Sequence, residues 1–225
     1  KLRALADELK AEHGTTVHVQ PADLSRSGAV TALAAALRRR QLQVDVLVNN
    51  AGVLEQGGFC EIASQRHQEL IDLNVSALTA LLAQFVPDMR ERGWGRVLNV
   101  ASIAAFQPVP SLATYAATKA FVLSLTESLS EELKGSGVSI TALCPGITAT
   151  PMVSRATLAN DKLSQVPGFM VGDAAEVAAE GYRACLRGEV IKVPGVLNLA
   201  GTLASRATPK WLLRSLSGAF ARRAL

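Results

Sequence analysis

The stretch "TYAATKA" places Tyr115 and Lys119 four residues apart, which puts both on one face if the segment is helical. A free phenol, with a pKa of about 10, is a poor proton carrier at neutral pH. A nearby ammonium favours the phenolate, and each unit of lowering corresponds to about 1.4 kcal/mol. A tyrosine brought closer to neutrality can pass a proton to or from an alcohol or carbonyl oxygen. An isolated Tyr-x-x-x-Lys, however, is better read as two side chains on a helix surface.

The surroundings change that weighting. Ser102 stands thirteen residues before Tyr115, at the end of the apolar run "GRVLNV". Its hydroxyl can hold a substrate oxygen beside the phenol, or it can simply cap a turn. "NNAG" (Asn49–Gly52) follows "VDVLV", and a glycine there either lets a ligand approach the backbone or makes an ordinary turn. Asn74 interrupts the apolar helix pattern "LIDLNVSALTALL". A buried Asn must be hydrogen-bonded, and a structural bridge and a catalytic relay are equally open for it.

The elements that must position these residues follow from periodicity. Lys1–His13 has Leu2, Leu5, Ala6 and Leu9 at helical spacing, with Gly14 as a stop. "TTVHV", "VDVLVN", "GRVLNV", "VSITAL" and "EVIKV" read as strands. The spacing predicts helices over 25–40, 64–92 (with an end made uncertain by Pro87), 111–134 and 173–187, the last with Asp173 as N-cap. Short strands alternating with helices imply an α/β fold with a doubly wound parallel sheet, Rossmann-like in type. Ligands bind beyond the C-terminal strand ends in such sheets. Here those ends carry Asp23, "NNAG", "ASIAAF" and "CPGITAT".

Composition narrows the class. The chain has 225 residues and a net charge of +4, enough for one domain with a sizeable core. Three unpaired cysteines and three scattered histidines (His13, His18, His67) argue against a disulfide scaffold and against a metal site. The uncharged stretches 97–118 and 135–154 contain proline and many polar side chains, so neither suits a membrane span. After Glu189 there is no acidic residue but six Lys or Arg, which leaves the preceding body at −2. An acidic body does not suit a nucleic-acid binder.

Taken together, "D-L" (Asp23–Leu24), "NNAG", the helix Asn, "GRVLNVAS", "YAATK" and "PGITAT", in this order and spacing, resemble the short-chain dehydrogenase/reductase family, single-domain Tyr-x-x-x-Lys type. The resemblance runs from Lys1 to about Pro194. It implies Tyr115 as general acid/base, Lys119 lowering its pKa and holding the nicotinamide ribose, Ser102 positioning the substrate oxygen, and Asn74 holding a water that links Lys119 to solvent. It also implies Asp23 at the adenine, Asn50, Ala51 and Gly52 along the cofactor ribose, and Pro145, Gly146, Thr148 and Thr150 near the nicotinamide carboxamide. The reaction implied is hydride transfer between a nicotinamide cofactor and a small-molecule carbonyl or alcohol. The bacterial branch it most resembles leans to NADP, with NAD left open, and to ketones of lipid-like character.

The resemblance further implies that a first strand, a glycine-rich phosphate-binding turn, its helix and a second strand precede residue 1, roughly forty residues in all. On that expectation the present chain keeps the catalytic residues, binds cofactor weakly and leaves a sheet edge uncovered. It implies a cytoplasmic homodimer or homotetramer joined through the helices beginning at Ser64 and Ser111. Residues 1–200 are read as the catalytic domain and 201–225 as a basic tail. Met152, Val153, Leu158, Leu163, Val166, Phe169 and Met170 suit either an apolar substrate lid or ordinary core. In the tail, Trp211, Leu212, Leu216 and Phe220 can share one helix face, with Arg214, Arg222 and Arg223 opposite. Packing on a subunit is placed ahead of contact with a membrane surface for this helix. A catalytically silent binding or scaffolding protein is the competing class. The intact Asn–Ser–Tyr–Lys set argues against it.

Overall fold

The computed structural model describes residues 1–150 and 171–224. Four parallel strands, β1 (Val46–Asn49), β2 (Gly95–Val100), β3 (Val138–Leu143) and β4 (Ile191–Lys192), lie side by side in chain order. Register pairs Asn49 with Asn99 and Val97 with Ile140. Parallel neighbours require helical crossovers. These are α1 (Leu2–His13) and α2 (Ala29–Arg39) before β1, then α3 (Ser64–Ile71), a π-helical turn (Asp72–Ala77) and α4 (Leu78–Glu91) before β2. Next, α5 (Ala113–Glu132) precedes β3 and α6 (Ala174–Arg187) precedes β4, and α7 (Val196–Ala207) and α8 (Lys210–Ala224) end the chain.

Alternation along the strands sorts the core into two faces. Val97, Ile140 and Ala142 pack with Leu78, Leu82, Phe85 and Met89 of α4 and with Val122 of α5. Leu98 and Leu143 turn the other way, against Val177 and Cys185 of α6. Helices therefore flank both faces of the parallel sheet, as in a Rossmann-like fold. Met89 and Val97 are wholly buried, and a buried side chain of this size contributes about 1.5–3 kcal/mol. Gly95 has no Cβ where one would stand 2.6 Å from the Met89 sulfur. The run Ser64–Glu91 is long and apolar enough to cross a membrane by length and composition. Here Leu78, Leu81, Leu82, Phe85 and Met89 of that run form part of the core with β1–β3.

Several boundaries differ from those expected. "TTVHV" forms no strand, and Thr15–His18 are exposed. A strand exists only where a neighbour accepts its ladder, and the described sheet begins at β1. The strand expected at "EVIKV" shortens to two residues, Ile191–Lys192. Helix α2 starts at Ala29 after Gly28 at φ 78, because residues 23–28 are taken up by a turn on Asp23. Pro87 does not end its helix, which continues to Glu91. Pro87 and Ala83, four residues back, both face solvent, so water can meet the carbonyl left without a donor. Asp173 caps α6 as expected, its Oδ1 accepting from the Ala175 and Glu176 amides at 2.9 Å each.

Candidate active site

The C-terminal ends of β1, β2 and β3 open on the same edge as the first turns of α5, and that geometry assembles the site. The last carbonyl of β2, Val100, accepts a 2.8 Å hydrogen bond from Lys119 Nζ. Two residues on, Ser102 leaves the strand in extended conformation and caps a 3-10 turn (Ile103–Phe106), its Oγ accepting from the Ala104 amide at 3.1 Å. The Ile103 amide donates to Pro145 O at 3.0 Å, which ties this turn to the end of β3. Ser102 is therefore a cap, with its hydroxyl hydrogen left to donate.

Tyr115 and Lys119 lie on one face of α5, with Nζ 5.7 Å from the phenol ring centroid. The expectation that Lys119 lowers the Tyr115 pKa is not met by this geometry. Burial pushes the phenol above its usual value, opposed by hydrogen bonding to Ser102. The ammonium lies over the ring and spends a donor on Val100. Lys119 itself is the more perturbed group. Burial brings it down to about 8, only partly offset by Cys144. The Cys144 thiol beneath is pushed up to about 12, first by burial, which leaves it inert as a nucleophile.

Asn74, in the π-helical turn, is 2% exposed. Its Nδ2 donates to Val53 O at 2.9 Å and to Thr118 Oγ1 at 3.1 Å, and its Oδ1 accepts from the Val53 amide at 2.9 Å. The side chain thus clasps the loop after β1 to α5, and both its amide hydrogens are used. A water could meet only the remaining Oδ1 lone pair. Thr118 continues the chain by donating to Tyr115 O at 2.7 Å.

Gly52 supplies the test of whether a cofactor fits. A Cβ at Gly52 would stand 3.2 Å from Asn74 Oδ1 and 3.6 Å from Lys119 Nζ. The missing side chain leaves the backbone here bordered by a buried ammonium and an amide oxygen, both of a kind suited to ribose hydroxyls. Asn50 and Ala51 are exposed on the same turn. Thr148 Oγ1 donates to Gly146 O at 3.1 Å, and the Ala149 amide donates to Gly172 O at 3.0 Å. These bonds fold the chain after Pro145 back beside the site, with Thr150 half-buried at its end.

The structure brings together Gly52, Asn74, Ser102, Tyr115, Lys119 and the Pro145–Gly146 turn. It does not bond Asp23 to this group. The Asp23 carboxylate accepts from Ser25 N at 3.2 Å and Ser25 Oγ at 2.6 Å, and pairs with Arg26 Nε at 3.1 Å. Those bonds to Ser25, ahead of Arg26, lower its pKa. The apolar residues Met152, Val153, Leu158, Leu163, Val166, Phe169 and Met170 lie outside the described residues.

Sequence reading passed over a buried polar ladder under the site. Asn49 Nδ2 donates to Asn99 Oδ1 at 2.8 Å, and Asn99 Nδ2 donates to Thr126 Oγ1 at 2.9 Å. Asn99 and Thr126 are fully buried. The signal was an Asn inside each of two apolar strands at matching positions. Only the strand register shows that the two face each other.

The family model described as short chain dehydrogenase matches residues 1–161. D-beta-hydroxybutyrate dehydrogenase of Rhizobium meliloti (strain 1021) is 30% identical over 155 residues, 69% of this chain and 60% of that protein. The chain thus spans less than two thirds of the length of that relative. A solved short-chain dehydrogenase from Sphingobium yanoikuyae, in complex with NADPH, superposes with a TM-score of 0.77 at 31% identity, covering 92% of this chain and 82% of that one. The bulky-bulky ketone specific alcohol dehydrogenase from Comamonas testosteroni gives a TM-score of 0.73 at 26% identity, covering 92% and 80%.

Proposed function

The chain belongs to the short-chain dehydrogenase family, and from that premise we propose that it works as an NADP(H)-dependent oxidoreductase on a carbonyl or alcohol substrate of apolar character. The observation that carries this reading is the convergence of Tyr115, Ser102 and Lys119 at the strand ends, with the phenol beside Ser102 and the ammonium 5.7 Å from its ring.

A bound nicotinamide supplies or accepts the hydride at the substrate carbon. The side chains of this protein handle the proton. Tyr115, held protonated at neutral pH by its burial, gives its hydroxyl hydrogen to the carbonyl oxygen as that oxygen gains charge. The Ser102 hydroxyl donates to the same oxygen and fixes its distance from the phenol. Lys119 offers the cofactor ribose the ammonium hydrogens that Val100 does not use. Asn74 is a positioning residue that holds the Val53 loop against α5. Gly52, Asn50 and Ala51 would hold the ribose side of a bound cofactor, Pro145, Gly146, Thr148 and Thr150 its nicotinamide side, and Asp23 its adenine. The NADPH complex of the Sphingobium yanoikuyae neighbour supports the choice of NADP(H). The ketone specificity in the name of the Comamonas testosteroni neighbour supports a bulky ketone.

The test is consumption of NADPH against a panel of aryl and alkyl ketones by the protein and by Tyr115→Phe. Loss of one proton donor is expected to cost about 10²–10⁴-fold in rate. Equal rates in the two proteins would remove Tyr115 from the mechanism. A protein that binds NADPH but turns over no ketone would favour the scaffolding alternative.

A further inference from the structure

Helix α7 is amphipathic in the wrong sense for a soluble surface helix. Its polar stripe is turned inward: Thr202 and Ser205 are 6% and 7% exposed, and Asn198 is half-buried. Each is satisfied by the main chain of its own segment, Asn198 Nδ2 donating to Pro194 O, Thr202 Oγ1 to Asn198 O and Ser205 Oγ to Thr202 O at 2.7–2.9 Å. Burying the stripe therefore leaves each of these side chains with a main-chain partner. The apolar residues point outward. Val196 is 84% exposed, Leu197 64%, Leu199 44% and Leu203 57%, and Trp211, just inside α8, is 65% exposed. Val196, Leu199 and Leu203 recur at the i, i+3, i+7 spacing of a single helix face.

Contacts hold this orientation. Arg206 pairs with Glu127 at 3.8 Å and lies 5.8 Å over the Phe106 ring. Asn198 fills the space above Gly146, where a Cβ would come within 2.5 Å of its amide nitrogen. Rotating the helix to hide its leucines would break both contacts.

Charge selects the occupant. No acidic residue follows Glu189, while six Lys or Arg do, and Lys210 and Arg214 are exposed in the helix that follows α7. A second copy docking by this same face would set two acid-free basic segments together, which is repulsive. A bilayer with anionic headgroups satisfies both features, taking the leucines and Trp211 into the acyl boundary and the cations at the phosphates. We propose that the outward face of α7, with Trp211, Lys210 and Arg214 of α8, docks the protein on an anionic membrane surface. This reverses the order expected from the sequence, where packing on a subunit came first. The proposal stands apart from the oxidoreductase reading, although α7 also packs on the turn after Ser102 and would set the site beside the lipid.

The experiment is co-sedimentation of the protein with phosphatidylcholine vesicles and with vesicles containing about a third phosphatidylglycerol. Pelleting is expected with the anionic vesicles only, and it should fall steeply between about 0.05 and 0.5 M salt. The double variant Leu199→Asp/Leu203→Asp changes exposed residues only. It should keep its circular dichroism and Tm and lose about ten-fold or more in partition. In a Trp94→Phe background, Trp211 emission should shift to the blue on binding. The proposal is overturned by no binding to anionic vesicles at low salt, by equal binding to both vesicle types, or by Leu199→Asp/Leu203→Asp dissociating an oligomer while vesicle binding stays unchanged. None of these readouts depends on catalytic activity.

Discussion

Lys119 Nζ donates to the carbonyl oxygen of Val100 at 2.8 Å, so the most perturbed cation of the site is anchored to the sheet by a neutral acceptor. A neutral acceptor orients the ammonium without fully compensating its burial. That is why its pKa comes down to about 8.

The first expected outcome follows from this shift. Unfolded, the ammonium keeps its proton up to the ordinary lysine value of 10.5, and folded it releases it near 8. Between those pH values the unfolded chain binds more protons, so the Lys119 contribution makes stability rise with pH. Below about 8 the cost of the buried charge is present in full. The shift corresponds to at most about 3 kcal/mol. Urea unfolding of the protein and of Lys119→Met across this window should show a rising difference curve, which Lys119→Met flattens. Parallel curves would place the ammonium in solvent.

In the proposed mechanism Tyr115 sets the pH profile. With the phenol raised by burial, ketone reduction should be flat near neutrality, because the acid form is already present. Alcohol oxidation needs the phenolate and should climb with pH into the alkaline range. Initial rates in both directions check this. A reduction rate that falls through neutrality would show a phenol shifted down.

Gly52→Ala places a methyl 3.2 Å from Asn74 Oδ1 and 3.6 Å from Lys119 Nζ. The fold should survive, since the neighbours need yield only a few tenths of an ångström. The cofactor KM should rise about ten-fold, or 1.4 kcal/mol. An unchanged KM would move the ribose elsewhere.

Asn99→Leu strands one buried partner, the Asn49 amide, while the Thr126 hydroxyl keeps its 2.7 Å bond to Val122 O. Each unsatisfied buried group costs about 1–3 kcal/mol. Denaturant unfolding should show a loss of about 1–3 kcal/mol. A loss below about 0.5 kcal/mol would mean that the ladder is dispensable.

Thiol titration separates the cysteines. Cys60 is exposed, while Cys144 and Cys185 are buried and burial raises both of their thiols. One thiol should react quickly with an aromatic disulfide at pH 8, and two only on unfolding.

The neighbourhood of Asn74 shows how far residues can be read without coordinates. That a polar side chain within an apolar helix must find partners was evident from burial alone. Which partners it finds depends on a π-helical turn that rotates it between Val53 and Thr118, and no local pattern announces such a turn. The Asn49–Asn99 pair is similar: each residue is visible, but the pairing needs the register. In the tail, sequence periodicity groups Trp211 with Leu212, whereas Trp211 is exposed and Leu212 half-buried. The side chains of Leu216, Phe220, Arg222 and Arg223 lie outside the described residues. Helix α7 begins at Val196 and runs through residue 200, where composition had suggested a division.

By itself the sequence determined the alternation of strands and helices, the family, and the helix face shared by Tyr115 and Lys119. Each of these follows from local periodicity, from turn chemistry, or from motif order along the chain. Tertiary structure alone decided that "TTVHV" lacks a strand partner, that Lys119 is held by Val100, that burial raises the Tyr115 pKa, and that α7 turns its leucines outward. Those outcomes depend on which surfaces meet across distant segments, and on how much water each charged or apolar group loses there.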